Sequence, residues 1–261
     1  MSGTRFARYI GIDYSGAQTA QSALKGLRVY EATRDADAVQ VLPSSSARRH
    51  WSREGLAHWI VDRLSDGVPT IVGIDHGFSF PLRYFEAHGL TTDWPQFLED
   101  FQVHWPTDQV HVSVELVRKG VVGHGHARGG DARWRRVAEL RARAKSVFHF
   151  DVPGSVAKST HAGLPWVLYL RRRLGHQVHF WPFDGWDVPA GRCAVLEIYP
   201  SLWSKTYPSF GRTPDEHDAY VAATRLKEMD GDGSLIRYLN PELQAHEREL
   251  ARVEGWILGV T

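Results

Sequence analysis

Short apolar runs, each closed by a turn residue, organise the first part of the chain. Arg8-Tyr9-Ile10-Gly11-Ile12-Asp13 is stopped by Ser15-Gly16 and predicts a buried strand. Leu27–Glu31 and Ala38–Leu42 are weaker strands, with the polar stretch Arg34–Ala36 between them, so the three segments read as an antiparallel meander. Ser52 is a good N-cap for a helix, because Leu56, Trp59, Ile60 and Leu64 then recur at helical spacing. Gly67 and Pro69 end it, and Thr70-Ile71-Val72-Gly73-Ile74-Asp75 follows as a second buried strand. Strand, helix, strand at this length is a crossover unit, which predicts an α/β sheet with parallel members.

The stretch from about Trp94 to Ala190 has a different texture. It predicts a helix near Gln96–Phe101, then strand-like alternation at Val110, Val112, Val114 and Leu116. A Gly- and His-rich loop follows (Gly123–Gly130), and then a basic helix from Trp134 to Val147. A further helix starts near Ser155 or Pro165 and ends in Arg171-Arg172-Arg173. Pro182, Pro189 and the aromatics between Phe180 and Trp186 close the region. It reads as an insertion (about 94–190) on one edge of a single domain spanning 1–261, with the core formed by 1–93 and 191–261.

The core resumes with Cys193-Ala194-Val195-Leu196-Glu197-Ile198, a third apolar strand stopped by Tyr199-Pro200. Thr213-Pro214-Asp215-Glu216 has Thr at N-cap, Pro at N1 and Glu at N3, a capping box. Ala219, Ala222, Ala223 and Leu226 form that helix's apolar face. A final helix is expected from about Pro241 to Ile257, with Leu243, Leu250, Val253 and Ile257 on one side.

Composition narrows the function classes. The 261 residues are 43% hydrophobic and 23% charged, with a formal net charge of +1, which excludes bulk electrostatic coating of nucleic acid. The single cysteine, Cys193, excludes an internal disulfide and a Cys-based zinc site, and fits a reducing cytoplasm. The opening Met-Ser-Gly-Thr-Arg-Phe has no signal-peptide apolar core, and no stretch reaches transmembrane length, so a cytoplasmic protein with no membrane partner is expected. The 10 tryptophans are scattered, either as large core residues or as a base-stacking platform.

Three of the apolar strands carry a carboxylate at or near their carboxyl ends: Asp13, Asp75 and Glu197. In one parallel sheet these would converge on the edge where open α/β sheets bind ligands. Packed anions repel, and burying one without a partner is costly. A hard divalent cation is the physical remedy, and Mg2+ or Mn2+ is the expected cofactor. Asp218 joins as a fourth candidate ligand, because Asp218, Ala222 and Leu226 share a helix face. Asp215 and Glu216 are accounted for by capping. Such a cluster suits two-metal phosphoryl transfer. The alternative is strand-end turn residues at Asp13 and Asp75, with Glu197 paired to an arginine.

The segments Tyr9–Asp13, Gly73–Pro81, Leu196–Pro200, His217–Ala219 and Glu254–Gly259 resemble the family called domain of unknown function 429, described as predicted nucleases with a ribonuclease-H-like fold. The resemblance spans nearly the whole chain through five short segments. It implies a five-stranded mixed sheet, three strands antiparallel and two added in parallel, flanked by helices, with a large mostly helical insertion before the last core strand. It also implies metal-dependent nuclease chemistry, with Asp13, Asp75, Glu197 and Asp218 where acidic ligands would fall.

Secondary candidates surround this set. His76 follows Asp75 and is either a water-activating base or a turn histidine. His217 is offset from Asp218 and reaches at most a supporting position. His124 and His126 lack a third ligand and read as a mobile loop. Glu254 reads as a packing or ion-pair residue. Arg133, Arg135, Arg136, Arg141, Arg143 and Lys145 are opposed only by Glu139, and form either a solvated helix face or a nucleic-acid phosphate surface.

The leading expectation is therefore a divalent-metal nuclease or related phosphodiester hydrolase. A rival is an actin- and sugar-kinase-like ATPase, because Asp13-Tyr14-Ser15-Gly16-Ala17-Gln18-Thr19 resembles its phosphate loop and Asp75–Ser79 its second loop. The two aspartates are too close in sequence to begin separate half-domains. A third reading is a nucleic-acid-binding module without catalysis, against which the costly anion cluster argues.

Overall fold

The computed structural model describes residues 4–44 and 49–261. The first residues of the N-terminal stretch, Met1–Gly3, lie outside the described residues. The sheet has seven strands, in the order β3-β2-β1-β4-β6-β5, with β7 also on β6. These are β1 (Arg8–Asp13), β2 (Arg28–Thr33), β3 (Val39–Gln40), β4 (Thr70–Asp75), β5 (Val178–Phe180), β6 (Cys193–Ile198) and β7 (Ile257–Leu258). β2 runs antiparallel to β1 and β3, while β4, β6, β5 and β7 all run parallel with β1. The architecture is α/β, with a mixed sheet flanked by helices.

β1, β4 and β6 are the three apolar runs of the sequence, and they are buried nearly end to end because helices cover both faces. On one face, Ile10, Ile12, Val72, Ile74 and Val195 pack with α1 (Arg53–Ser65), α3 (Trp94–His104) and α6 (Ala157–Leu174). On the other, Tyr9, Ile71, Leu196 and Ile198 pack with α7 (Pro214–Gly231), α8 (Leu235–Leu239) and α9 (Ala245–Glu254). α7 lies directly on β1: a Cβ on Gly11 would overlap the Ala219 carbonyl and the Ala223 amide. That closeness fixes the start of α7 above the end of β1.

Both expected helix starts are present. The Ser52 hydroxyl accepts from the Gly55 amide, and Thr213 and Glu216 form a reciprocal capping box. Trp51, Trp94, Trp105, Trp166, Trp181, Trp186 and Trp256 are buried, which answers the tryptophan question in favour of core. Among the described residues no helix is long and apolar enough to cross a membrane.

The insertion departs from expectation in three places. The alternating valines are not a strand. Ser113 instead caps the short helix α4 (Val114–Arg118), and Val110 is exposed. The basic helix from Trp134 to Val147 is reduced to α5 (Val137–Arg141), since Arg143 takes a left-handed φ of 53°. The insertion also supplies a strand of its own, β5, paired to the first half of β6. At the other end, Gly255 at φ 78° stops α9, so Ile257 and Leu258 form β7 instead of extending the final helix. The remaining helix, α2 (Leu82–His88), follows Pro81.

Candidate active site

Asp13 and Asp75 stand opposite each other in register at the carboxyl ends of neighbouring parallel strands. Adjacent strands lie about 4.8 Å apart, so two carboxylates start side by side. Alternation along the strands places both on the α7 side, with Gly11 and Gly73. Burial pushes the Asp13 carboxyl well above the usual carboxylate range, and the negative charges of Asp75, Asp215 and Asp218 push it further. Asp75 is raised likewise, first by burial and then by Asp218 and Glu197. The cluster is therefore anionic and under strain unless protons or a cation relieve it.

Asp218 is held by a short relay. The Ser204 hydroxyl donates to its Oδ1 at 2.7 Å, and the His217 ring Nε2 lies 2.9 Å from the Ser204 carbonyl. His217 thus anchors the segment that orients Asp218 and does not face the cluster itself.

Asp215, which the sequence pattern assigns to the cap, is not needed there. Thr213 and Glu216 complete that cap without it. Asp215 instead lines a cleft of about 450 Å3 together with Asp13, Ser15, Gln18, Ser113 and Lys158. Burial raises its carboxyl, and Asp218 adds to the effect. The available signal was the three-residue spacing of Asp215 and Asp218 on one helix face.

Glu197 does not join the pair as the strand-end pattern predicts. It stands opposite Ile74 in register, one position short of Asp75, so the pleat places it with Ile74 on the other face. There Arg136 takes both of its oxygens, Nη1 to Oε2 at 2.7 Å and Nη2 to Oε1 at 2.6 Å. The Phe78 amide also donates to Oε2. Glu139 completes the buried group, accepting from Arg136 Nε at 3.0 Å. Among the described residues, no group of three or more His, Cys, Asp or Glu side chains is arranged to hold a metal ion.

His76 is a core residue and not a base at the cleft. Its side chain packs between Tyr14 and Phe78, its Nδ1 lies 2.9 Å from the Gly77 carbonyl, and burial pulls its pKa down to about 4. The run that the sequence offers as a solvated face or a phosphate surface is in part internally paired, with Arg133, Arg135, Arg141 and Arg143 still exposed. Arg136 is buried, Arg133 is paired with Asp131, and Arg141 is paired with Glu247. Lys145 donates to the Pro153 carbonyl. Among the described residues, the Arg135 and Arg143 side chains make no hydrogen bond or ion pair. His124 precedes a short 3-10 turn, Gly125–Arg128, and His126 lies within it. Glu254 accepts from the Leu82 amide at 2.7 Å and the Val137 amide at 2.9 Å, so one carboxylate caps two helices.

One further residue organises the cleft. The Arg53 guanidinium, buried at the start of α1, donates to the carbonyls of Ser15 (3.0 Å), Ala17 (2.7 Å) and Gln18 (3.2 Å). It pins the loop that follows Asp13. On the far side, Gly16 abuts the backbone of Lys158 and Ser159 in α6, where a Cβ would not fit. No family model, no curated protein and no solved structure matches the chain.

Proposed function

We propose that this chain is a divalent-cation-dependent phosphodiester hydrolase, a nuclease of ribonuclease-H-like type, working at the carboxyl edge of its sheet. One observation carries the reading: Asp13 and Asp75 are in register, partly buried, and pressed by the charge of Asp218 with no cationic side chain paired to any of the three among the described residues. Support also comes from the part of the sheet that runs β3-β2-β1-β4-β6, antiparallel and then parallel, although β5 and β7 make it seven-stranded where the resemblance to the family of unknown function 429 implies five.

Carboxylate oxygens are the donors that Mg2+ and Mn2+ take, but among the described residues Asp13, Asp75 and Asp218 do not stand as a formed three-ligand group, so binding must draw them together. Asp13, Asp75 and Asp218 would hold the ion, with Asp215 beside them, and Glu197 is committed to Arg136. A cation held there would offset the crowded charge and would supply an acidified water for phosphodiester hydrolysis. The chain's own residues do the rest. Ser204 orients Asp218, Arg53 fixes the Ser15–Gln18 loop, and the cleft beside Asp13 receives the substrate.

The same loop supports a second reading, a phosphotransferase acting on a nucleotide in that cleft. Labelled DNA and RNA, single- and double-stranded, incubated with Mg2+ or Mn2+ separate the two. Cleavage that disappears in Asp75→Asn is the expected result. ATP turnover without cleavage favours the second reading, and neither activity with either ion overturns both.

A further inference from the structure

A cleft of about 750 Å3 lies away from the one beside Asp13. Its walls are two segments, 172–177 and 190–192, and its polar lining is Arg172, Arg173, His176, Gln177 and Arg192, with no carboxylate. These segments immediately precede β5 and β6. Val178 and Cys193 are in register, so the ladder sets Gln177 beside Arg192 and holds the two walls at strand spacing. All lining residues except Leu174 are exposed.

The charge here is of a different kind from that of the 133–145 run. Arg171 turns away to Asp184 and packs over Trp94, and Arg172 reaches Glu99 and Gln102. Arg173 and Arg192 have no side-chain ion pair or hydrogen bond among the described residues. Cations at the end of an 18-residue helix complement its dipole, which accounts for Arg171–Arg173. It does not account for Arg192, which comes from another segment and faces the same opening.

We propose that this cleft binds the sugar-phosphate backbone of a nucleic acid. Guanidinium groups without internal partners suit phosphate oxygens, which they grip with paired hydrogen bonds. An opening walled by exposed side chains does not enclose a small ligand, but it lets a polymer pass through. The cleft lies at the amino ends of the parallel strands, and Asp13 and Asp75 lie at the carboxyl ends, about 20 Å away along the sheet. It is therefore a separate anchoring surface, and it stands whether or not the carboxylate edge is catalytic.

The test is binding of a fluorescein-labelled single-stranded oligodeoxynucleotide to the whole chain in EDTA, followed by anisotropy over a salt series. Arg173→Ala/Arg192→Ala should weaken binding about tenfold or more at low salt and flatten the log–log salt slope by about 1.5. Arg173→Lys/Arg192→Lys should restore most of both, and both residues are exposed, so the fold should survive. Absence of wild-type binding, or an unchanged affinity and slope in the double alanine variant, overturns the proposal. Competition by inorganic phosphate or a mononucleotide at the oligonucleotide's own concentration also overturns it, in favour of a small-anion site.

Discussion

Arg136 and Glu197 form a two-pronged ion pair in which the arginine side chain is 1% exposed and the glutamate 6%. Glu139 and the Glu254 carbonyl share the same guanidinium. A charge this deep is tolerated only with its partners present. Arg136→Ala leaves two buried carboxylates unpaired and should lower stability by about 3–5 kcal/mol in urea unfolding. Combining it with Glu197→Gln should recover part of that loss. A loss below about 1 kcal/mol would mean that the pair is solvated.

Divalent ions should stabilise the protein through the Asp13 and Asp75 cluster. Both carboxyls sit above their ordinary value near 3.8 in the fold, so the folded chain holds protons that the unfolded chain releases. Their contribution is then full below about pH 4 and drains away as pH rises through the elevated values. In EDTA this term therefore falls with pH, and saturating Mn2+ should cancel the fall and raise the melting temperature. Asp13→Asn should remove the ion's effect and flatten the slope. A melting temperature indifferent to millimolar Mn2+ and Mg2+ would refute this.

Acid should act in the opposite direction through His161. The ring is buried among Phe80, Phe101, Trp105, Phe148 and Phe150, and burial lowers its pKa from 6.5 to about 3. The unfolded chain takes the proton first, so stability from this group is complete above pH 6.5 and is lost as pH falls toward 3. His161→Phe should therefore lose less stability between pH 7 and pH 4 than the wild type, as read from paired denaturant titrations.

Arg53 should act on the loop and only weakly on the whole fold. Arg53→Lys keeps the charge but cannot reach three carbonyls from one planar group. Hydrogen exchange at Tyr14–Gln18 should accelerate well beyond that in β4 and β6, which should follow only the global loss. Global stability should fall by about 1–2 kcal/mol. Uniform acceleration across the sheet would place Arg53 in the global core instead.

Gly11 tests how α7 is seated. An added methyl would overlap backbone atoms of Ala219 and Ala223, which cannot rotate aside. Gly11→Ala should cost about 1–3 kcal/mol or more, and should displace Asp215 and Asp218 from Asp13. Loss of any divalent-ion response in this variant, with the aspartates intact, would show the displacement directly.

Much of this fold is legible in the sequence where local pattern and burial coincide. β1, β4 and β6 are buried on both faces, so their unbroken apolar runs declare them, and the Thr213 cap announces α7. β5 and β7, of three and two residues, are too short for any periodicity to register. Glu197 shows how a strand-end pattern misleads. It is the fifth residue of its strand where Asp13 and Asp75 are the sixth, and one position in a pleat is a change of face. The destination of Arg136 was beyond local reasoning, since its partner lies in a different element and a run of like charges reads as surface.

The outer edge of β6 is divided between two strands from distant parts of the chain. β5 pairs with Cys193–Val195, and β7 with Glu197–Ile198. During synthesis β5 is already in place when β6 emerges, but β7 follows only after α7, α8 and α9, several seconds later at ordinary translation rates. Through that interval the half of β6 nearest the carboxylates is an unpaired apolar edge, the kind that recruits strands from other chains. The nascent chain is thus most exposed to aggregation at the end of the sheet where its acidic residues gather, until Ile257 and Leu258 arrive.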